Sequence, residues 1–250
     1  MRPDKQGVTV FTRDALLLVG HGSTRHPGAG RVLHRHAEAL RGAGLFAEVA
    51  VGLLNGTPSV AEGLAGLTVP TVHVVPFFME DGYFARVAVP RALEASGDTR
   101  ALGLCAPIGS HAGMVALASD RIERFCAPSR LAILCAGHGS ARAPGQAVAL
   151  HRLAAGLADT KRFGPVRVGL LEEAPFIADT LRDLSQHTVA VLGFFAGDGR
   201  HVLDDMPALI QGERARRGEA DPPVYDLGLI VDEPGTAEII LDRVRASAGT

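Results

Sequence analysis

The chain has 250 residues, of which 47% are hydrophobic and 21% are charged, and its formal net charge is −2. This length fits one large domain or two smaller lobes, and the composition is that of an ordinary globular protein. The small net charge and the scarcity of tryptophan and tyrosine argue against a nucleic-acid partner. No apolar run reaches the roughly eighteen residues of a membrane span, and no signal-peptide core opens the chain. We therefore expect a cytoplasmic protein without a membrane partner.

The three cysteines, Cys105, Cys126 and Cys135, have no C-x-x-C spacing and cannot all form disulfides with one another. We expect them to be buried thiols in a reducing compartment, and we do not expect an iron–sulfur cluster.

Short apolar runs alternate with helical stretches along the chain. In the first half, strands are predicted over Leu16–Val19, Ala47–Leu54, Thr71–Val75 and Ala101–Cys105. In the second half, they are predicted over Leu131–Ala136, Val166–Leu171, Thr188–Leu192 and Val224–Val231. Helices lie between them; the first of each half is predicted over Gly28–Ala43 and Gly145–Ala158, and the second is expected to open at Thr57-Pro58 and Ala174-Pro175.

The two halves are copies of one unit. When residues 15–90 are placed on residues 132–207, 32 of the 76 pairs are identical without an insertion or deletion. Chance would give roughly one identity in twelve at ordinary residue usage. The sequence therefore predicts a first lobe over 1–128 and a second over 129–250, with a boundary at Ala127–Ser129 that is too short for a flexible linker.

The alternation of strands and helices predicts an α/β fold, in which each lobe has a mainly parallel sheet flanked by helices. In such sheets, ligands bind beyond the carboxyl ends of the strands. Both copies of a Gly-His-Gly-Ser turn, which contain His21 and His138, fall at these ends. A second glycine-bearing loop follows the third strand of each half, over Phe77–Gly82 and Phe194–Gly199.

The two halves differ at positions that can carry chemistry. The second half has His138, Glu172 and His201 at the ends of three strands, whereas the first half has His21, Asn55 and Phe84 there. Two imidazoles and a carboxylate at one edge suit a divalent transition metal, or proton transfer near neutral pH. The sequence therefore predicts an active second lobe and a degenerate first lobe.

Each of these residues also has a purely structural interpretation. His138 can cap a turn, Glu172 can face solvent beside Glu173, and His201 can be an ordinary residue at a helix N-terminus. Their joint loss in the other half is what favours a functional site. His111 lies after the fourth strand and is a weaker candidate for the same edge.

Four motifs together resemble the sirohydrochlorin chelatase family, the CbiX type of class II tetrapyrrole chelatases. They are the Gly-His-Gly-Ser turn with Arg25, the Pro76-Phe77-Phe78-x-x-x-Gly82 loop, Pro107-x-Gly109-Ser110-His111, and Gly199-x-His201-x-x-x-Asp205-x-Pro207. The resemblance extends from about Leu16 to Val244.

The resemblance implies a macrocycle bound between two lobes and an ATP-independent lyase that inserts a divalent metal into sirohydrochlorin, on the way to cobalamin or siroheme. Co²⁺ is favoured over Fe²⁺ and Ni²⁺, and no nucleotide takes part. The family's roles fall on His138 and His201, which would bind the metal and accept pyrrole protons, with Glu172 assisting. His21 matches only the first histidine of the family.

Further residues around these motifs are expected to contact the macrocycle. Arg200, Arg142 and Arg25 suit its carboxylate side arms. Phe194 and Phe195 either form apolar walls for the flat ring or simply pack beneath their loop. Ser140 and His21 complete the predicted substrate contacts.

Two other functions compete with the chelatase. A histidine phosphatase needs an arginine before its nucleophilic histidine, but Gly20 and Gly137 occupy that place. A non-catalytic carrier of metal or tetrapyrrole is the alternative that the degenerate first lobe suggests, and the enzyme is favoured over it. The sequence does not decide between enzyme and carrier, nor the metal or the tetrapyrrole, and it favours a monomer over a dimer because the duplication supplies the second copy internally.

Overall fold

The computed structural model describes residues 2–3, 9–24, 27–125, 131–219 and 221–249. The chain forms two compact units, unit 1 from Met1–His111 with Gly235–Thr250, and unit 2 from Ala112–Pro234. Each unit contains a mainly parallel sheet flanked by helices, which confirms the predicted fold class.

Unit 1 is built on a sheet in the order β3-β2-β4-β5, whose four strands are parallel. A short strand, β1, pairs antiparallel with the start of β2. The bounds are β1 Arg2–Pro3, β2 Thr9–Gly20, β3 Phe46–Leu53, β4 Thr71–Pro76 and β5 Ala101–Leu104. The carboxyl ends of β2, β3 and β4 therefore meet at one edge, where His21 follows β2.

Four helices pack against this sheet: α1 Arg31–Gly42, α2 Val60–Ala65, α3 Val89–Ala95 and α8 Thr236–Ala248. Helix α1 contacts α8, and α2 contacts α3. Alternate residues of a strand face opposite sides of a sheet, so Leu17 and Val19 share a core with Val60 and Leu64 of α2. Burial of each such side chain contributes about 1.5–3 kcal/mol.

Unit 2 repeats this arrangement with a parallel sheet in the order β7-β6-β8-β9. Its strands are β6 Ala132–Gly137, β7 Val166–Leu170, β8 Val189–Gly193 and β9 Val224–Leu229. Its helices are α4 Met114–Phe125, α5 Val148–Asp159, α6 Ile177–Asp183 and α7 Met206–Arg217. Helix α4 contacts α5 and β9, and α6 contacts α7.

The compact units differ from the predicted lobes, 1–128 and 129–250, because the repeats exchange their final helices. Helix α4 belongs to the first repeat, but its apolar face packs in unit 2, where Ile122 is fully buried. Helix α8 belongs to the second repeat and packs on α1, β4 and β5 of unit 1. The predicted boundary at 127–129 lies outside the described residues.

Three predicted element boundaries were wrong. Strand β2 begins at Thr9 rather than Leu16. The rings of Phe11 and Phe46 stack 5.2 Å apart and hold the start of β2 against β3. The charged residues in this segment had argued against a strand in the sequence. Helices α2 and α6 begin after the prolines that were expected to open them. The carbonyls of Pro58 and Pro175 instead accept hydrogen bonds from the last strand residues, each at 2.8 Å.

Two of the three cysteines are buried, as predicted, and the third, Cys126, lies outside the described residues. Burial raises the pKa of Cys105 to about 11 and that of Cys135 to about 12. Both thiols therefore stay protonated at neutral pH, which makes them poor nucleophiles and poor metal ligands.

Candidate metal site

Three neighbouring strands of unit 2 bring the predicted site together. His138 directly follows β6, Glu172 lies two residues after β7, and His201 begins the turn after the β8 loop. Because β6 lies between β7 and β8, these residues meet at the carboxyl edge of one parallel sheet. One ligand atom from each side chain lies within 4.8 Å of the other two. This edge holds the only such group of three among the described residues.

The turn around His138 fixes the imidazole by backbone geometry. Gly139 has a φ of +68°, and a Cβ there would lie 2.8 Å from Cγ of Glu173, so glycine is required. Nδ1 of His138 lies 3.0 Å from the carbonyl oxygen of Gly139 and 3.7 Å from Oε2 of Glu172. A proton on Nδ1 satisfies the carbonyl and leaves the lone pair of the neutral ring on Nε2.

His201 is held by a residue of its own helical turn. His201–Asp205 form a π-helical turn that leads into α7, and Nδ1 of His201 lies 2.7 Å from Oδ2 of Asp205. With Nδ1–H donating to this carboxylate, Nε2 again carries the lone pair. The rings of His201 and His138 meet edge to face, with centroids 4.5 Å apart.

Glu173 supports the loop that follows His138. Its side chain is buried, and its two oxygens accept hydrogen bonds from the backbone N–H of Ser140 at 3.0 Å and of Gly145 at 2.7 Å. This role of Glu173 was not predicted from the sequence, where Glu173 is only the neighbour of Glu172. The sequence held one signal for this role, because Glu173 of the second repeat aligns with Gly56 of the first, which has no carboxylate.

The side chains at the site offer two imidazole nitrogens and one carboxylate, all partly open to solvent. About half of His138, Glu172 and His201 is accessible, at 46%, 42% and 38% of each side chain. Imidazole and carboxylate together suit first-row divalent metals, and imidazole is the side chain that commonly accepts protons near neutral pH. A metal and an exchangeable proton therefore both find suitable partners at this edge.

Unit 1 reproduces the geometry of this edge without its donors. The rings of His21 and Phe84 meet edge to face with centroids 4.6 Å apart, as the two imidazoles do in unit 2. The N–H of Asn55 donates to the carbonyl of His21 at 2.8 Å, and that of Glu172 donates to His138 at 3.0 Å. The predicted correspondence of positions is thus confirmed, and Phe84 and Asn55 replace two donors.

The other predicted contact residues fall into separate groups. Phe194 and Phe195 are 3% and 7% exposed, so they pack beneath their loop and offer little surface to a ligand. Ser140 accepts a hydrogen bond from the N–H of Ala143 through Oγ, at 3.1 Å, and so shapes the loop. Arg142 and Arg200 are exposed. Arg25 lies outside the described residues.

Two apolar side chains that were not predicted as contact residues are exposed on unit 2. Leu203 lies in the same π-helical turn as His201 and is 53% exposed, and Phe176 precedes α6 and is 44% exposed. Arg86 and Ser59 occupy the matching positions of the first repeat. An apolar residue in the second repeat that aligns with a polar residue in the first was therefore the sequence signal for both positions.

The family model of CbiX matches residues 15–125 and 132–247. The chain belongs to the CbiX family. Each repeat matches separately, so the CbiX unit is present twice in this chain. A relative from Halobacterium salinarum, described as a probable sirohydrochlorin cobaltochelatase, is 28% identical over 270 residues, which cover 94% of this chain and 91% of the relative.

Solved structures share the fold of this CbiX chain. SirB from Bacillus subtilis with Fe³⁺ has a TM-score of 0.79 at 20% identity, covering 94% of this chain and 96% of SirB. A multi-domain Deinococcus radiodurans protein with structural similarity to chelatases has a TM-score of 0.77 at 24% identity, over 93% of this chain. The chain spans 54% of that protein. Within the described part of the CbiX chain, no helix is long and apolar enough to cross a membrane.

Proposed function

We propose that the protein inserts a divalent metal ion into sirohydrochlorin as an ATP-independent chelatase. The observation that carries this proposal is the convergence of His138, Glu172 and His201, whose ligand atoms lie within 4.8 Å of one another. The Halobacterium relative, described as a cobaltochelatase, and SirB, which holds Fe³⁺, support cobalt and iron as metals. We propose Co²⁺ as the first choice and Fe²⁺ as the second.

The reaction exchanges protons for a metal. The free-base macrocycle releases two pyrrole N–H protons as M²⁺ enters, so the net charge is conserved. A neutral imidazole either binds M²⁺ or accepts a proton through its lone pair. In both histidines a hydrogen bond at Nδ1 leaves Nε2 for this task. The carboxylate of Glu172 attracts the incoming cation and passes protons to solvent.

We further propose that the macrocycle lies against unit 2 through exposed apolar side chains. Leu203 and Phe176 would contact the ring face, in place of the buried Phe194 and Phe195. Arg142 and Arg200 would pair with carboxylate side arms, since guanidinium groups bind carboxylates bidentately. In this proposal, His21 does not hold the metal.

The test measures turnover under anaerobic conditions. Metal-free protein is mixed with about a hundredfold excess of sirohydrochlorin and then with Co²⁺, Fe²⁺ or Ni²⁺, and absorbance follows the metallated product. The double variant His138→Ala/His201→Ala provides the background of uncatalysed insertion. We expect many equivalents of product per protein with Co²⁺ or Fe²⁺. A halt after one equivalent identifies a carrier, and a rate equal to the background overturns the proposal.

A further inference from the structure

One peptide group connects His138 to a buried carboxylate. With its proton on Nδ1, the imidazole of His138 donates to the carbonyl of Gly139 at 3.0 Å. The N–H of the same peptide group belongs to Ser140, and it donates to Oε1 of Glu173, also at 3.0 Å. A peptide group is planar and trans, so the bond that holds its N–H also fixes the direction of its carbonyl. The position of Glu173 is therefore transmitted to the imidazole through one rigid group.

The carboxylate of Glu173 accepts backbone N–H groups with both oxygens. Its second oxygen, Oε2, accepts a hydrogen bond from the N–H of Gly145 at 2.7 Å, and the residue is 9% exposed. It forms no ion pair with a basic side chain in the described part of the chain. Hydrogen bonds to an ionised acceptor are about twice as strong as neutral ones, and bonds in a chain reinforce one another. Glu173 therefore strengthens the bond between the Gly139 carbonyl and His138.

The other imidazole of the candidate metal site reaches a carboxylate directly. Nδ1 of His201 lies 2.7 Å from Oδ2 of Asp205. Each of the two histidines is thus connected at Nδ1 to one carboxylate, without an intermediary for His201 and through one peptide group for His138. A partner at Nδ1 fixes the tautomer and the orientation of the ring, and it leaves the lone pair on Nε2.

Unit 1 keeps the peptide group but lacks the carboxylate. Nδ1 of His21 lies 2.8 Å from the carbonyl oxygen of Gly22, which matches the bond of His138. Gly56 occupies the position of Glu173. A Cβ at Gly56 would lie 3.7 Å from the backbone nitrogen of Ser23, so this position adjoins the corresponding N–H in both units. The difference between the units is therefore the side chain alone.

The two carboxylates are absent from the same repeat. Ala88 occupies the position of Asp205, as Gly56 occupies that of Glu173. This repeat also has asparagine and phenylalanine where the second repeat has Glu172 and His201. The groups that hold the two imidazoles are thus found only with the complete set of donors, which associates Glu173 with the site rather than with the fold that both units share.

We propose that Glu173 is a positioning residue of the candidate metal site, which holds Nε2 of His138 in place through the peptide group of Gly139 and Ser140. In the reaction, this directs the lone pair toward the incoming metal or the departing proton, and that clause rests on the proposed function. Glu173 does not itself hold the metal, since both of its oxygens accept backbone N–H groups. Its substitution should therefore change metal binding only where His138 is present.

The variant Glu173→Gln tests this role in the full chain. The amide keeps the size of the side chain but removes the charge, and its NH₂ group cannot accept a backbone N–H. We expect the affinity for Co²⁺, measured by calorimetry without sirohydrochlorin, to fall about tenfold, as is typical when the partner of a ligating histidine is lost. Glu213→Gln is the matched control, because Glu213 is also a buried carboxylate of unit 2 but binds Arg216 and Arg217. It should lower Tm and leave the Co²⁺ affinity within about twofold.

A double-mutant cycle separates positioning from a general effect on the fold. In a background of His138→Ala, Glu173→Gln should change the remaining Co²⁺ affinity by less than about twofold, whereas in His201→Ala it should still lower the affinity about tenfold. Glu173→Gly copies the first repeat, which folds with glycine at this position, and it serves in the same cycle if Glu173→Gln does not fold. Equal losses in the two backgrounds, or an unchanged affinity in the folded single variant, overturn the role of Glu173.

A spectroscopic measurement reports on the imidazole itself. Nitrogen-15 NMR of the metal-free protein shows which ring nitrogen carries the proton. We expect the Nδ1–H tautomer of His138 to lose population in Glu173→Gln, while the tautomer of His201 stays unchanged. The same tautomer population of His138 in the wild type and the variant would contradict the proposal. The cycle and the NMR measurement use no sirohydrochlorin, so a positive result in a protein without turnover supports the positioning role and refutes only the proposed function.

Discussion

Each imidazole of the candidate metal site is held at Nδ1, by a carbonyl for His138 and by a carboxylate for His201. We predict that His138→Ala and His201→Ala each slow metal insertion by about 10²-fold or more, since positioned acid–base groups contribute 10²–10⁴-fold. His21→Ala is the control from unit 1, and we expect a change of less than about threefold. Initial rates with Co²⁺ measure all three variants. An equal loss in His21→Ala would contradict a single catalytic unit.

Asp205 acts through His201. Asp205→Asn keeps an oxygen acceptor but removes the charge that orients the ring of His201, so we predict about a tenfold weaker affinity for Co²⁺. The neighbouring Asp204→Asn is the control, because Asp204 is exposed and forms no described bond to His201. Calorimetry measures the metal affinity, and circular dichroism verifies the fold. The same affinity in both variants would leave Asp205 with a structural role only.

Leu203 tests the proposed contact with the macrocycle. Leu203→Arg introduces the residue that the first repeat carries at this position, and it removes about 1.5–3 kcal/mol of apolar burial against the ring. We predict that KM for sirohydrochlorin rises about tenfold with little change in kcat. The reciprocal change, Arg86→Leu, is expected to leave KM unchanged. A KM for Leu203→Arg equal to that of the wild type would place the macrocycle elsewhere.

At the scale of elements, the two repeats carry the same π-helical turn after the third parallel strand of each unit, over Phe84–Ala88 and His201–Asp205. Because Phe84 meets His21 as His201 meets His138, Phe84→His with Asn55→Glu should assemble a second metal site. We predict one additional equivalent of bound Co²⁺. Calorimetry measures it in a background of His138→Ala/His201→Ala.

The same background without the two unit 1 substitutions is the control, and it should bind no Co²⁺ at this stoichiometry. Failure to gain an equivalent would show that a third feature of unit 2 is essential. Asp205 is the first candidate, because Ala88 occupies its position in the first repeat and leaves the new histidine without its carboxylate partner.

The sequence predicted the candidate metal site because an unbroken register transfers each position of one repeat onto the other. His138, Glu172 and His201 were identified in this way, and the parallel strands explain why they converge. The sequence did not predict the hydrogen bonds made by Glu173 and Asp205. Those of Glu173 depend on how two loops meet in the fold, and that of Asp205 depends on the rotamer of its side chain. The burial of Phe194 and Phe195 could not be predicted either, because the sequence pattern is the same for a loop phenylalanine that contacts a ligand and for one that packs in the core.

At the scale of the whole molecule, the exchange of final helices determines which fragments are stable. Residues 112–234 include α4, whereas residues 129–234 lack it and expose the surface that buries Met114, Leu117 and Ile122. Each of these side chains contributes about 1.5–3 kcal/mol, and a whole domain is stable by only 5–15 kcal/mol. We predict a cooperative thermal transition for 112–234 and none for 129–234.

Calorimetry of the two purified fragments measures this difference. Replacement of Leu117 and Ile122 by alanine within 112–234 is the control, and it should lower Tm without preventing folding. Equal transitions in the two fragments would mean that the repeat, rather than the compact unit, is the stable module, and that α4 is a peripheral addition.

The order in which the chain leaves the ribosome gives the exchanged helices a further consequence. All of unit 2, residues 112–234, is translated before α8, but unit 1 receives α8 from the residues that follow. Domains usually complete folding in the order of their synthesis. In this chain, unit 1 cannot complete its folding until α8 has been translated. Until then, the faces of α1 and β4 that α8 covers remain exposed. A chain that ends after unit 2 and lacks α8 should therefore have a finished second unit beside an unfinished first one.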